Sequence, residues 1–197
     1  AKAILIFACL LALPLAAQYE IPPIPPVAEQ TSVYDYIGLL DAVEKSSLEQ
    51  KLIRYSDSTS TQIVMAIIPS TEGENIQYLG AQWGEAWGIG QEKEDNGILI
   101  LLARDDRRIA INTGYGVEEF LTDALSRRII ESVIIPEFRN GDYYGGLDKG
   151  SDAIFEVLTG QFTAPPEVNS VQGFPLGSLL PFIIFIIIIL ILASRNK

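Results

Sequence analysis

The chain has no histidine, and its one cysteine, Cys9, lies inside an apolar stretch at the very start. With that stretch set aside, disulfides, thiolate nucleophiles, Ser–His–Asp triads and His-ligated zinc or iron are all excluded. The chemistry left to the chain uses carboxylates, hydroxyls, Lys, Arg, Tyr, backbone groups or a hard metal ion. Positive charge is the second scarcity: 14 Lys and Arg stand against 25 Asp and Glu. Lys2, Arg195 and Lys197 sit at the two ends, so the stretch between sets 11 basic residues against all 25 acidic ones. Nucleic acid is a poor partner for such a surface, whereas divalent cations and basic protein surfaces suit it. The plainer reading of most of these charges is solubility near an anionic membrane.

Long apolar runs occur only at the ends. Residues 1–17 carry one Lys, an apolar centre and a small-residue finish, which reads as a secretory signal peptide cleaved near Ala17–Gln18. Residues 176–193 are almost wholly apolar, and 18 residues reach the short end of what spans a bilayer. Arg195 and Lys197 follow at once, so residues 194–197 read as a cytoplasmic tail. The expectation is a single-pass membrane protein whose bulk lies on the periplasmic, extracytoplasmic or lumenal side. Residues 18–31 contain IPPIPP and read as an extended proline-rich linker, and residues 161–175 as a second linker. Residues 32–160 remain as one domain with a core of its own.

Within that domain the apolar pattern alternates between helical and strand periods. Asp41 and Glu44 form a capping box that opens a helix with Leu48, Leu52 and Tyr55 on one stripe. Residues 62–68 read as a central strand. Residues 74–87 read as a second helix, with Ile76, Leu79, Trp83 and Trp87 near one face. Strands over 97–103 and 108–113 flank a hairpin turn at Arg104–Arg107. A third helix follows Thr122 and reaches Ile135–Pro136, and a fourth follows Asp142 and runs to Leu158. Strand, helix, strand in one sheet predicts a right-handed parallel crossover, and the hairpin adds an antiparallel strand. The fold class expected is an α/β three-layer α/β/α sandwich with a mixed sheet, followed by the C-terminal transmembrane helix.

The hairpin brings separated residues together. If Asp105–Asp106 form its two-residue loop, Asp95 falls opposite Gly116 and Asn96 opposite Tyr115. Asp95, Asn96 and Glu118, with Gly116 and its neighbouring carbonyls, would then offer the several oxygen ligands that Ca²⁺ or Mg²⁺ takes. Asp-Asn-Gly before a strand is also ordinary turn chemistry, and both readings stay open from the residues alone. Asp35, Asp123 and Asp142 are weaker candidate ligands. Asp123 and Asp142 also read as helix N-caps, and Glu118 and Glu119 as carboxylates complementing a helix start. Asp105–Asp106 with Arg104, Arg107 and Arg108 read as a solvated tip of local ion pairs, and Trp83 and Trp87 as core.

Eight short motifs follow one another along the chain: Val33-x-Asp35 leading to Leu39-Leu40; Gln62-Ile63-Val64; Trp87-Gly88-Ile89-Gly90; Asp95-Asn96-Gly97; Asp106-Arg107-Arg108; Gly114-Tyr115-Gly116; Pro136-x-Phe138; and Gly141-Asp142-Tyr143. In this order the series resembles the TPM domain family, whose members include thylakoid-lumen and photosystem II repair-type proteins and bacterial membrane-anchored proteins. The resemblance spans residues 32–160. It implies an α/β/α fold outside the cytoplasm, a divalent-cation site near Asp-Asn-Gly, and an associated metal-dependent acid phosphatase activity. The function expected is a membrane-anchored module that binds a divalent cation and assists assembly, maintenance or repair of a membrane-protein complex. The alternatives are a metal-dependent phosphatase and a ligand-free accessory subunit. The phosphatase reading has a geometric difficulty, because the hairpin sets its arginines about six residues, or ~20 Å, from Asp95.

Overall fold

The structure is a computed structural model, and it describes residues 19–91 and 93–162. Strand β1 (Val33–Asp35) leads to α1 (Ala42–Thr59), β2 (Gln62–Ile68), α2 (Ile76–Trp87) and the hairpin β3 (Gly97–Ala103)–β4 (Arg108–Thr113). A short turn, α3 (Tyr115–Glu118), then precedes α4 (Asp123–Ile129), a π-helical turn over Ile130–Ile134, α5 (Ile135–Arg139) and α6 (Tyr143–Leu158). The chain is thus an α/β domain on a four-stranded mixed sheet in the order β1-β2-β3-β4. The first two pairings are parallel and the third is antiparallel, with Ile98 opposite Thr113 as the two-residue loop requires.

Each boundary has a local cause. The Asp41 side chain accepts hydrogen bonds from the amides of Val43 and Glu44, and Glu44 reaches back to the Asp41 N–H, so the capping box forms and starts α1. Asn75 caps α2 by accepting from the Gln77 and Tyr78 amides, and Gly88 ends the helix in the left-handed region at φ 58°. The segment expected as one helix up to Pro136 is helical without a gap from Asp123 to Arg139, but it contains a π turn over Ile130–Ile134. Pro136 has no N–H and its ring crowds the preceding turn. The chain widens there, with the Ile135 N–H donating to the Ile130 carbonyl five residues back.

Helices cover both faces of the sheet. Ile63, Met65 and Ile67 join one core with Leu48 and Leu52 of α1 and Leu147 and Ile154 of α6. Val64, Ala66 and Ile68 join the other with Leu79, Trp83 and Trp87 of α2. All seven residues of β3 are buried, as a strand covered on both sides must be. This layering bears on the hand of the crossovers. The two crossovers step the same way across the sheet, yet α1 and α2 lie on opposite faces, so the crossovers have opposite hands. Two crossovers of one hand would stack both helices on the same face.

The proline-rich stretch read as a spacer also differs from expectation. A single helix of 12 residues does not cover four strands, and α2 sits mainly over β3 and β4. The rest of that face is filled by aromatic rings and by residues 19–22. Tyr19 stacks on Trp83 with centroids 5.9 Å apart, and the Trp87 indole N–H donates to the Pro22 carbonyl at 2.8 Å. Among the described residues no helix is long and apolar enough to cross a membrane. The expected signal peptide (1–17), the expected transmembrane helix (176–193) and its tail lie outside the described residues, as does all but the first part of the second linker.

Candidate functional site

The N-terminal end of β3 is a glycine-tight corner. A Cβ added at Gly97 would lie 1.9 Å from the Ile89 carbonyl oxygen, so only glycine lets the loop after α2 pass so close. Asn96 fastens that loop: its Oδ1 accepts from the Gln91 amide and its Nδ2 donates to the Ser60 carbonyl, both at 2.9 Å. Asp95 adopts the left-handed region at φ 46°, which Asp tolerates better than most residues. Its carbonyl accepts from the Gly116 amide at 3.0 Å and its Oδ2 from the Tyr115 amide at 3.1 Å. The juxtaposition of Asp95 with the loop 114–116, inferred from hairpin register, is therefore present. That loop is not irregular, however; it winds into the single turn α3.

Gly114 and Gly116 mark where oxygen atoms crowd in. A Cβ at Gly114 would lie 2.2 Å from the Asp95 carbonyl oxygen and 2.7 Å from Asp95 Oδ1, and one at Gly116 would lie 1.8 Å from the Glu94 carbonyl oxygen. Beside this corner, between α2 and the ends of β3 and β4, opens a cleft of about 540 Å³. Gly80, Gly84 and Glu85 form its helical wall, and Asp95, Asn112 and Tyr115 face them. No Lys or Arg lines it among the described residues. Asn112 donates through Nδ2 to the Gln77 carbonyl at 2.8 Å, while its buried Oδ1 has no hydrogen-bond partner and packs against Gly80. Tyr115 stands 85% exposed at the rim.

The other candidate ligands are placed elsewhere or already engaged. Glu118 is exposed on α3. Asp35 pairs with Ile67, and Ile67 with Leu102, so it lies at the opposite end of the sheet from Asp95 and not on that rim. Its two oxygens accept from the Ile37 and Leu40 amides. Asp142 caps α6 by accepting from the Gly145 amide at 2.7 Å. Asp123 is the first residue of α4 rather than its cap; Thr122 has that role. Among the described residues no three acidic side chains converge as a metal cage.

The hairpin tip divides. Arg104 pairs with Asp105 at 2.7 Å, as expected of a solvated tip. Asp106 instead accepts from Ser70 Oγ at 2.9 Å and from the Thr71 amide at 2.8 Å, tying the tip to the end of β2. The Thr71 N–H, then the Ser70 hydroxyl, hold its carboxyl below the usual value. The sequence reading missed this anchor and also missed Glu85 and Asn112 as cleft walls. One signal was present: Gly80 and Gly84 sit four apart inside α2, which costs helix stability, and at Gly80 the cost reflects the close approach of Asn112, while Gly84 leaves open space in the cleft wall.

The sequence profile of the TPM domain matches residues 33–157. Among solved structures, the N-terminal domain of a P. gingivalis protein is 33% identical, with 70% of this chain and 88% of that one covered and a TM-score of 0.63. The BA42 protein of the psychrophilic bacterium Bizionia argentinensis is 19% identical (66% and 89% covered, TM-score 0.56). The N-terminal domain of a Corynebacterium glutamicum protein is 18% identical (74% and 89% covered, TM-score 0.53). These last two are alike in fold alone. No curated protein matches the chain.

Proposed function

The chain belongs to the TPM domain family, and from that premise we propose that it is a membrane-tethered, extracytoplasmic interaction module. Its Asp95 corner holds a divalent cation and presents it, with the adjoining cleft, to a membrane-protein partner during assembly, maintenance or repair. The observation that carries this reading is the oxygen-rich cradle at two glycines. Asp95 Oδ1, the Asp95 carbonyl and the Glu94 carbonyl press against Gly114 and Gly116, where any Cβ would displace them. Hard cations such as Ca²⁺ and Mg²⁺ take carboxylate, carbonyl and water oxygens. Asp95 supplies the charge, the loop carbonyls supply dipoles, and exposed Glu118 stands on the same loop. Asn96 holds the corner in shape, because both ends of its amide are committed. With one carboxylate in the cradle and no acidic cage among the described residues, affinity falls in the weak range of extracellular modules, about 10⁻⁴–10⁻³ M. A phosphatase reading gains nothing from the cleft, whose lining offers no cationic side chain to a phosphate.

The test is thermal unfolding of the full chain with Ca²⁺, Mg²⁺ or a chelator, beside Asp95→Asn. Asn keeps an acceptor for the Tyr115 amide and tolerates the left-handed backbone, so it removes charge with little else. At ten times Kd the favoured ion stabilises the native state by about 1.4 kcal/mol, a rise of a few degrees in Tm that Asp95→Asn loses. An equal rise in the variant, or none in the native chain, ends the cation reading.

A further inference from the structure

The IPPIPP segment is the motif that the Asp95 site leaves unused, and its placement points to a second site. From Tyr19 to Pro22 the chain lies in a groove walled by α2 and β1, on the aromatic rings of Tyr34, Trp83 and Trp87. The Trp87 indole N–H donates to the Pro22 carbonyl at 2.8 Å, the Tyr19 amide donates to Glu74 Oε1 at 3.2 Å, and Tyr19 stacks on Trp83. Tyr34 meets Trp87 edge-on with centroids 4.7 Å apart. An aromatic-lined groove with an indole N–H aimed at a proline carbonyl is the means by which folded domains recognise proline-rich segments. Here the recognised segment is the chain's own.

The strap uses only part of itself and satisfies only part of the groove. Ile24 and Val27, just beyond the engaged residues, are 50% and 85% exposed. Trp83, fully buried, leaves its indole N–H without a hydrogen-bond partner among the described residues, and Glu74 Oε2 is buried in the same condition. A ligand held by so few contacts, over unmet polar groups, is open to exchange.

We propose that the groove between α2 and β1 is a recognition site for extended segments of the pattern aromatic–x–aliphatic–proline. The Tyr19–Pro22 strap fills it in cis, and a proline-rich segment of a separate protein displaces the strap. The chemistry of the occupant is set by the strap itself: a ring for Trp83, an amide for Glu74, a proline carbonyl for Trp87. None of Tyr34, Glu74, Trp83 and Trp87 lines the cleft beside Asp95, and the proposal does not depend on the cation reading.

The test uses the full chain, native and with Tyr19→Ala and Ile21→Ala together, which loosen the strap and leave the groove walls untouched. The probe is a labelled peptide of residues 19–26, YEIPPIPP, read by anisotropy. The only two tryptophans of the chain lie in the groove, so their emission reports its occupancy. The strap variant, with native circular dichroism and red-shifted emission, should bind the peptide at least about tenfold more tightly than the native chain does, and binding should return the emission to its native position. Adding Trp87→Phe to that variant should weaken binding about tenfold, the value of one well-made hydrogen bond. The peptide YEIAAIAA should bind more weakly than YEIPPIPP. A folded strap variant that ignores the peptide overturns the proposal, as does equal binding to both proteins. Unfolding of the strap variant would make the strap a core element and overturn it too. A dimer of the native chain in sedimentation, lost in the strap variant, would assign the groove to a second copy and overturn the separate partner.

Discussion

Gly80 shows how one missing side chain shapes the cleft. It sits inside α2, where glycine costs about 1 kcal/mol relative to alanine, yet a Cβ there would lie 2.1 Å from Asn112 Oδ1. Asn112 in turn holds β4 to α2 through the Gln77 carbonyl. Gly80→Ala should therefore destabilise the domain by about 1 kcal/mol, because displacing the amide outweighs the propensity gain. In an Asn112→Ala background the same change should stabilise by about 1 kcal/mol. Urea unfolding of the four proteins closes the cycle. Substitutions that simply add would show that Gly80 is not there for Asn112. Asp95 and Asn96, neighbours in sequence, divide their work in the same local way: one presents a carboxylate, the other fastens a loop.

At the scale of elements, Asp106 ties the β3–β4 turn to the loop after β2. Its carboxylate accepts from Ser70 and from both the amide and hydroxyl of buried Thr71, and its carboxyl is held below the ordinary value of 3.8 by those bonds. A depressed carboxyl contributes stability that is present above its ordinary value and is lost as pH falls through its folded value. Asp106→Ala should lower the urea midpoint at neutral pH, and the gap from the native chain should close as pH drops below about 4. A constant gap across that range would assign the loss to packing instead. The anchor sits at the end of the sheet opposite Asp95, so the same variant should leave cation binding unchanged. Elsewhere the α1–α6 seam is fixed by Tyr55 stacked on Phe155 at 3.9 Å, and by Lys51 reaching Asp148 and Asp152. That ion pair is half-buried, and its energy is modest.

For the whole molecule the dominant fact is the charge, −11 over the chain. Like charges on the surface of a folded domain repel, and salt screens them over roughly 10 Å at 0.1 M. Raising monovalent salt from low to about 0.15 M should increase Tm equally in the native chain and in Asp95→Asn. A divalent ion should separate the two proteins, so the pair of titrations distinguishes general screening from the Asp95 corner. If monovalent salt already separates them, the corner is responding to ionic strength rather than binding an ion.

By itself the sequence determined β2, β3, β4, the long helices and the hairpin register, but not β1 or the turn α3. Capping residues, β-branched runs and glycine stops are local signals, and each acts within a few residues of itself. β2, β3 and β4 fall on the residues expected, and Asp95 comes to Gly116 because a two-residue loop leaves one register. The π turn before Pro136 was partly legible, since proline marks a disruption but does not say that a π turn absorbs it. Tertiary structure alone decided which face each helix covers, and with it the opposite hands of the two crossovers, because that choice depends on covering both apolar faces of the sheet. It also decided that Asp35 belongs to the far rim, that Asp106 is an anchor rather than a solvated tip, and that Glu85 and Asn112 join Asp95 around one cleft. The proline-rich strap is the clearest case. Nothing within residues 19–22 names their partner, because the surface they fill exists only once α2 has left part of the sheet uncovered.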